Sequence, residues 1–309
     1  MIKINDLNFA ERVALEVLWG LTWVFSILPH WVKFHLIEPV LYFLFCHVLR
    51  YRHRVVEENL KNSFPEKSDE ELRQIKRDFY HNLAEVVIGT LNMVHMPLEK
   101  RRRYISTADF WEQFYPRVEG RDFLVLMAHQ GLWELGLFWG QESPDHMTLG
   151  VYHELHSKVL DLFYQRLRTT ESSIPVQKKE LMRFYLQHRK DGVEGRRVAI
   201  GLIADQHPNI PVNEQTHWYR FLNQDSVFFD GAEQLAVRYG LPIWFADFER
   251  VGKGRYRIVF EMLYDGEEKV EKHEITERYV RRLEQMICRD PHLWMWSHRR
   301  WKHKRNVEE

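Results

Sequence analysis

The sequence is short of cysteine, of net charge and of any apolar run that would cross a membrane unaided, and each shortage narrows what the chain can do. Its two cysteines, Cys46 and Cys288, lie far apart without metal-ligand or redox spacing, so a reduced compartment and structural roles are expected. Formal charge sums to +0, and nothing global points to nucleic acid. Gly-x-Ser-x-Gly, P-loop and dinucleotide-binding glycine patterns are all missing, which removes support for a serine hydrolase, an NTPase or a dinucleotide enzyme. His153-Glu154-Leu155-His156 falls one residue short of His-Glu-x-x-His, so no metal site is expected. The chain also lacks internal repeats and low-complexity linkers. What remains, 309 residues with 45% hydrophobic content, suffices to bury the core of one large α/β domain, with or without a helical appendage.

Charge and apolar content are unevenly distributed. Val17 to Trp31 and Pro39 to Leu49 contain no Lys, Arg, Asp or Glu, yet each is shorter than the roughly 20 residues of a full crossing. Acidic residues precede the first run and no small-residue cleavage site closes it, which argues against a removable signal. Trp19, Trp23 and Trp31 lie in that run, and basic residues crowd Arg50 to Arg54 beyond the second. The pair therefore reads as a membrane-anchoring helical element, residues 1–55, ahead of an α/β domain over 56–309; a buried helical hairpin is the alternative. Other basic clusters, Lys100 to Arg103 and His298 to Arg305, suit an anionic, partly apolar surface.

Ser68 followed by Glu71 is a capping-box signature, and Leu72, Ile75, Phe79 and Leu83 continue it at helical spacing. From Asp122 the pattern alternates. Phe123 to Ala128, Met147 to Tyr152, Val198 to Ala204, Pro242 to Glu249 and Arg255 to Leu263 read as strands. Leu155 to Arg168, Glu180 to Arg189, Ala232 to Tyr239 and Ile275 to Cys288 read as helices. Such alternation predicts a mostly parallel central sheet flanked by helices, with Gly252-Lys253-Gly254 turning the last two strands into an antiparallel hairpin.

Within that architecture His129 falls just past the end of a buried strand, where open α/β sheets bind ligands. Glu134 follows five residues later, with Gly131 loosening the turn and a helix expected from about Leu132. Inside one helix the pair would point about 140° apart. They meet only if His129 precedes the helix and folds back; a carboxylate on the ring would then fix its tautomer and hold a base near neutral pH. Asp205 and Gln206 follow their own buried strand in the same way and are expected on the same rim.

These residues carry a resemblance. His129-x4-Glu134 is similar to the His-x4-Asp/Glu motif of glycerolipid-type acyltransferases. "YRHRVVEENLKNSFPEKSDEELRQIKRDFYHNL", "LIADQ", "FFDGAEQLAVRYGLPI" and "WMWSHRRWKHK" resemble, in order, the bacterial lipid A biosynthesis acyltransferase family. The resemblance implies a glycerol-3-phosphate acyltransferase-like α/β fold with an N-terminal membrane anchor, at the cytoplasmic face of the inner membrane. It implies transfer of a fatty acyl chain from acyl carrier protein to a hydroxyl of a lipid A precursor, with no cofactor besides that co-substrate. The Phe-Pro-Glu-Gly-Thr-Arg block of the phospholipid-making branch is missing, which disfavours a lysophosphatidic acid role.

On that reading His129 is the general base, Glu134 orients and charges it, and the backbone N–H groups of Gln130 and Gly131 are the oxyanion donors. Arg168 corresponds to a site arginine of the family, and Asp205 and Gln206 join it as substrate-binding residues. Arg299 and Arg300 are expected to hold headgroup phosphates, guanidinium forks matching phosphate oxygens. Lys302, Lys304 and Arg305 suit anionic lipid or the acidic carrier protein. An acyltransferase acting on another lyso-lipid or an aminolipid, and a non-catalytic membrane-surface protein that kept the fold, remain as alternatives.

Overall fold

The computed structural model describes residues 2–107, 110–136, 143–208, 211–213, 215–302 and 305. Nine strands lie in it: β1 (Ile105–Ser106), β2 (Phe123–Met127), β3 (His146–Tyr152), β4 (Ser173–Gln177), β5 (Arg197–Ile203), β6 (Tyr219–Phe221), β7 (Gln224–Ser226), β8 (Ile243–Gly252) and β9 (Arg255–Tyr264). Seven form one sheet in the order β1-β9-β8-β2-β5-β3-β4, and β6 and β7 form a separate hairpin. All neighbours in the large sheet run parallel except β8 and β9, which the expected Gly252–Gly254 turn joins antiparallel. The five expected strands are all present; β1, β4 and the small hairpin are additions.

β2 is buried at every position, as an unbroken apolar run must be when both faces of a parallel sheet are covered. Its alternate residues feed two cores: Leu124, Leu126 and Ala128 face one, while Phe123, Val125 and Met127 face the other. Helix Glu274–Arg289 closes the first core with a stripe of Ile275, Tyr279, Val280, Leu283 and Met286, the spacing of one helical face. Helix Asp69–Met93 begins at the Ser68–Glu71 capping box, fully formed, and is largely buried from Phe79 onward.

The N-terminal segment folds as helix Phe9–Ile27 and, after Pro29, a second helix, His30–Val48. Pro39 removes a backbone donor there, and wider π-turns at Lys33–Ile37 and Leu44–Val48 interrupt the α-helix. Contrary to the expectation that each apolar run is too short, His30–Val48 continues as one helix past Lys33 and Glu38 and is long and apolar enough to cross a membrane by length and composition. Across both helices large apolar side chains face outward, including Trp23 at 56% and Trp31 at 58% exposure, with Val40, Phe43 and Leu49. The opposite side is tied down by polar contacts. Lys33 Nζ donates to Ser26 O at 3.0 Å and to Asn92 Oδ1, and Glu38 takes His81 Nδ1 at 2.7 Å.

Candidate active site

The sheet register brings the site together. β2 and β5 pair in parallel with Met127 opposite Ile203, so two residues beyond each strand His129 faces Asp205 across the C-terminal rim. His129 Nδ1 lies 2.8 Å from Asp205 Oδ1, and the His129 backbone N–H donates to Asp205 Oδ2 at 3.1 Å. Trp294 Nε1 donates to the same Oδ2 at 2.8 Å. Asp205 is 1% exposed. Burial works against its ionisation, but the His129 ring and the three donors outweigh that and hold its carboxyl below the ordinary aspartate range. An ionised Asp205 accepts the Nδ1 proton, which fixes the tautomer whose lone pair is on Nε2. Gln206 Nε2 stands 3.3 Å from that Nε2, the arrangement of a donor facing a lone pair.

Glu134 has a different partner from the one expected. Both its oxygens go to Arg168, Nε at 3.0 Å and Nη2 on the other oxygen, so the carboxylate that orients His129 is Asp205. The reason is the chain path. Beyond Gly131 the described residues 133–136 take a 3-10 conformation, and residues 137–142 of the expected helix lie outside the described residues. That turn carries Glu134 away from the ring toward the end of helix Lys158–Arg168. Burial alone would lower the Arg168 value, but the Glu134 charge and hydrogen bonds raise it, so Arg168 stays a cation. Tyr164 and Tyr152 present their rings to the guanidinium, with centroids 5.0 and 5.9 Å away.

The expected backbone oxyanion donors are already spent. Gln130 N–H donates to Ala128 O at 2.8 Å and Gly131 N–H to Leu293 O at 3.0 Å. Gly131 sits at φ +50, and a Cβ there would come within 2.3 Å of the Tyr256 ring, so the glycine is needed for the turn itself.

Arg300, expected on a phosphate, is 1% exposed; it donates to Val227 O at 2.7 Å and lies 4.2 Å from the Phe228 ring centroid. Burial pushes it down to about 10, so it remains a cation at neutral pH, within the electrostatic reach of Asp205. Its neighbour Arg299 is exposed, and Lys304 lies outside the described residues.

Just ahead of these basic residues, the segment Leu293 to Ser297 acts as a clamp on the histidine loop. Met295 N–H donates to His129 O at 3.1 Å, and Gln130 pairs with Trp294 as an isolated antiparallel bridge. Asn82 holds Leu293 O at 3.1 Å, Asn59 holds Trp296 O at 2.8 Å, and Arg52 holds Ser297 O at 3.1 Å. The density of tryptophan in "WMWSHRRW" was the available signal, since indoles that large are usually buried with their N–H satisfied.

Two other histidine clusters do not rival this one. Ser143, Asp145 and His146 hydrogen-bond to one another at the opposite end of β3, where Ser143 and His146 are wholly buried. Glu154 of the short His-Glu motif takes Gln177 Nε2 at 2.7 Å, and among the described residues no group of three His, Cys, Asp or Glu side chains converges to hold a metal.

A histidine with a buried carboxylate on Nδ1 and a lone pair on Nε2 can remove a proton from a hydroxyl, which is the chemistry O-acyl transfer needs. A search of curated proteins found no match. The family model for bacterial lipid A biosynthesis acyltransferases aligns with residues 11–303, and the chain belongs to that family.

Proposed function

We propose that the chain is a membrane-associated O-acyltransferase that moves a fatty acyl group from acyl carrier protein to a hydroxyl of a lipid A precursor. The observation that carries the reading is the His129–Asp205 pair on the strand rim, in a chain of this family. The acceptor hydroxyl approaches Nε2 and gives up its proton as its oxygen attacks the thioester carbonyl carbon. The C–S bond then breaks, and the proton on His129 passes to the departing thiolate, so no covalent enzyme intermediate is required. Asp205 holds the ring and stabilises the imidazolium formed in between. The Glu134–Arg168 pair acts one step removed, fixing the loop that follows His129 to helix Lys158–Arg168.

The outward apolar side chains of the two N-terminal helices support docking at the cytoplasmic face of the inner membrane, where acyl carrier protein and a lipid acceptor can meet. The test is mass spectrometry of lipid A and total polar lipids from native cells carrying wild type or His129→Ala. Loss of one secondary acyl chain from lipid A supports the full reading. Loss of a different acylated lipid, an aminolipid for example, keeps the chemistry and replaces the acceptor. No change in any lipid, in cells without a redundant enzyme, overturns the reading.

A further inference from the structure

We propose that the side-chain amide of Gln206 supplies the oxyanion hydrogen bond for the transfer step, an inference that rests on the acyltransferase reading above. The tetrahedral intermediate carries a full negative charge on the former carbonyl oxygen and needs a donor aimed at it. The two backbone N–H groups at the His129 turn are engaged by Ala128 O and Leu293 O, and the Gly131 one belongs to the bridge that clamps the loop. Freeing it would undo the turn that holds His129. Among the described residues, the side-chain N–H set against the working nitrogen of His129 is that of Gln206, 3.3 Å away.

The resting contact defines the handover. Because Asp205 takes the Nδ1 proton, Nε2 is a lone pair and Gln206 must present N–H to it rather than its carbonyl. An acceptor hydroxyl that docks for deprotonation takes over the donor position at Nε2 and releases the amide. The freed N–H then lies about one hydrogen-bond length from the attacking oxygen, next to the carbon being attacked. As the O–C bond forms, the electron pair moves onto the carbonyl oxygen and the amide N–H receives it. When the C–S bond breaks the charge leaves with the thiolate, which takes the proton from His129 as Gln206 returns to Nε2. Gln206 is partly exposed, so the amide has room for this small movement, whereas Asp205 behind it has none.

The experiment compares purified full-length wild type, Gln206→Ala and Gln206→Glu, using dodecanoyl-acyl carrier protein and a lipid A precursor bearing free hydroxyls, across pH 6 to 9. Circular dichroism and thermal midpoints confirm that the variants fold. Removal of one such donor lowers kcat by about 10²–10³-fold. The expected result is a loss of that size in Gln206→Ala at every pH, with donor KM changed by less than about threefold. Gln206→Glu, which offers no donor when ionised, is expected to be no better. If Gln206 only keeps His129 neutral, the alanine variant instead shifts the acidic limb of the profile and recovers full kcat at high pH, which overturns the proposal. An alanine variant with unchanged kcat against an active wild type overturns the role of Gln206 alone. A wild type that transfers no acyl chain to any acceptor tried overturns the acyltransferase reading with it.

Discussion

Asp205→Asn is the sharpest perturbation the site allows, because the new side chain fits the old space and inverts one hydrogen bond. Among the described residues Asp205 Oδ2 serves two donors, the His129 backbone N–H at 3.1 Å and Trp294 Nε1 at 2.8 Å, while Oδ1 serves only His129 Nδ1 at 2.8 Å. In the amide the carbonyl oxygen keeps the position with two donors, and the NH2 group takes the other. It then donates to Nδ1 and forces the imidazole proton onto Nε2. His129 becomes a donor where a base is needed. The same inversion in a hydrolytic triad lowers kcat about 10⁴-fold, equivalent to about 5 kcal/mol of barrier. Acyl transfer to the lipid acceptor measures the rate, and 15N chemical shifts of His129 report the tautomer. The variant should remain folded, with the Nε2–H tautomer and a rate down by about that factor. A rate within tenfold of wild type, with Nδ1 still protonated, would refute the reasoning and return the orienting role to another group.

Other consequences can be checked independently. Glu134→Gln leaves the partly buried Arg168 without its counter-charge, and urea unfolding should show a loss of about 2 kcal/mol, with Glu134→Met/Arg168→Met losing less than the two single changes together. Gly131→Ala combines a left-handed backbone with a methyl placed against the Tyr256 ring; a cost of about 2–5 kcal/mol is expected, partly relieved by Tyr256→Ala, and a neutral result would mean the turn is built otherwise. His298 is pushed down to about 4, chiefly by burial, from an ordinary value of 6.5. A depressed folded value means that its contribution to stability is present above pH 6.5 and is lost as pH falls toward 4, so His298→Gln should flatten that part of the stability profile. Replacing the outward Trp23 and Trp31 by serine should weaken binding to anionic vesicles by roughly 2 kcal/mol per indole in flotation assays, and undiminished binding would move the membrane face elsewhere.

The fold was largely legible because its signals are local. An unbroken apolar run such as Phe123–Met127 can hardly be anything but a strand covered on both faces, and Ser68–Glu71 announces a helix start from four residues. Strand β4, SIPVQ, was not legible, since a central proline and few apolar residues hide it; it sits at the sheet edge, where a missing donor is tolerated. The site was legible in position but not in pairing. That His129, Asp205 and Gln206 share a rim follows from each standing just past a buried strand. Which carboxylate reaches the ring depends on strand register, and on the Arg168 guanidinium that takes both oxygens of Glu134, neither of which sequence spacing encodes. The burial of Arg300 was hidden for the same reason: an arginine in a basic segment reads as surface until the cleft that receives it is known.

The clamp over the histidine loop also sets an order in time. Translation delivers the outward-facing helices Phe9–Ile27 and His30–Val48 first, then the His129 loop, and only much later Trp294 and Met295. Until those late residues leave the ribosome, Asp205 lacks one of its donors and the carbonyl of His129 has no partner from that segment. The leading helices can therefore fold while the base is still unheld, and the loop around His129 is complete only once the Trp294–Met295 segment has been made.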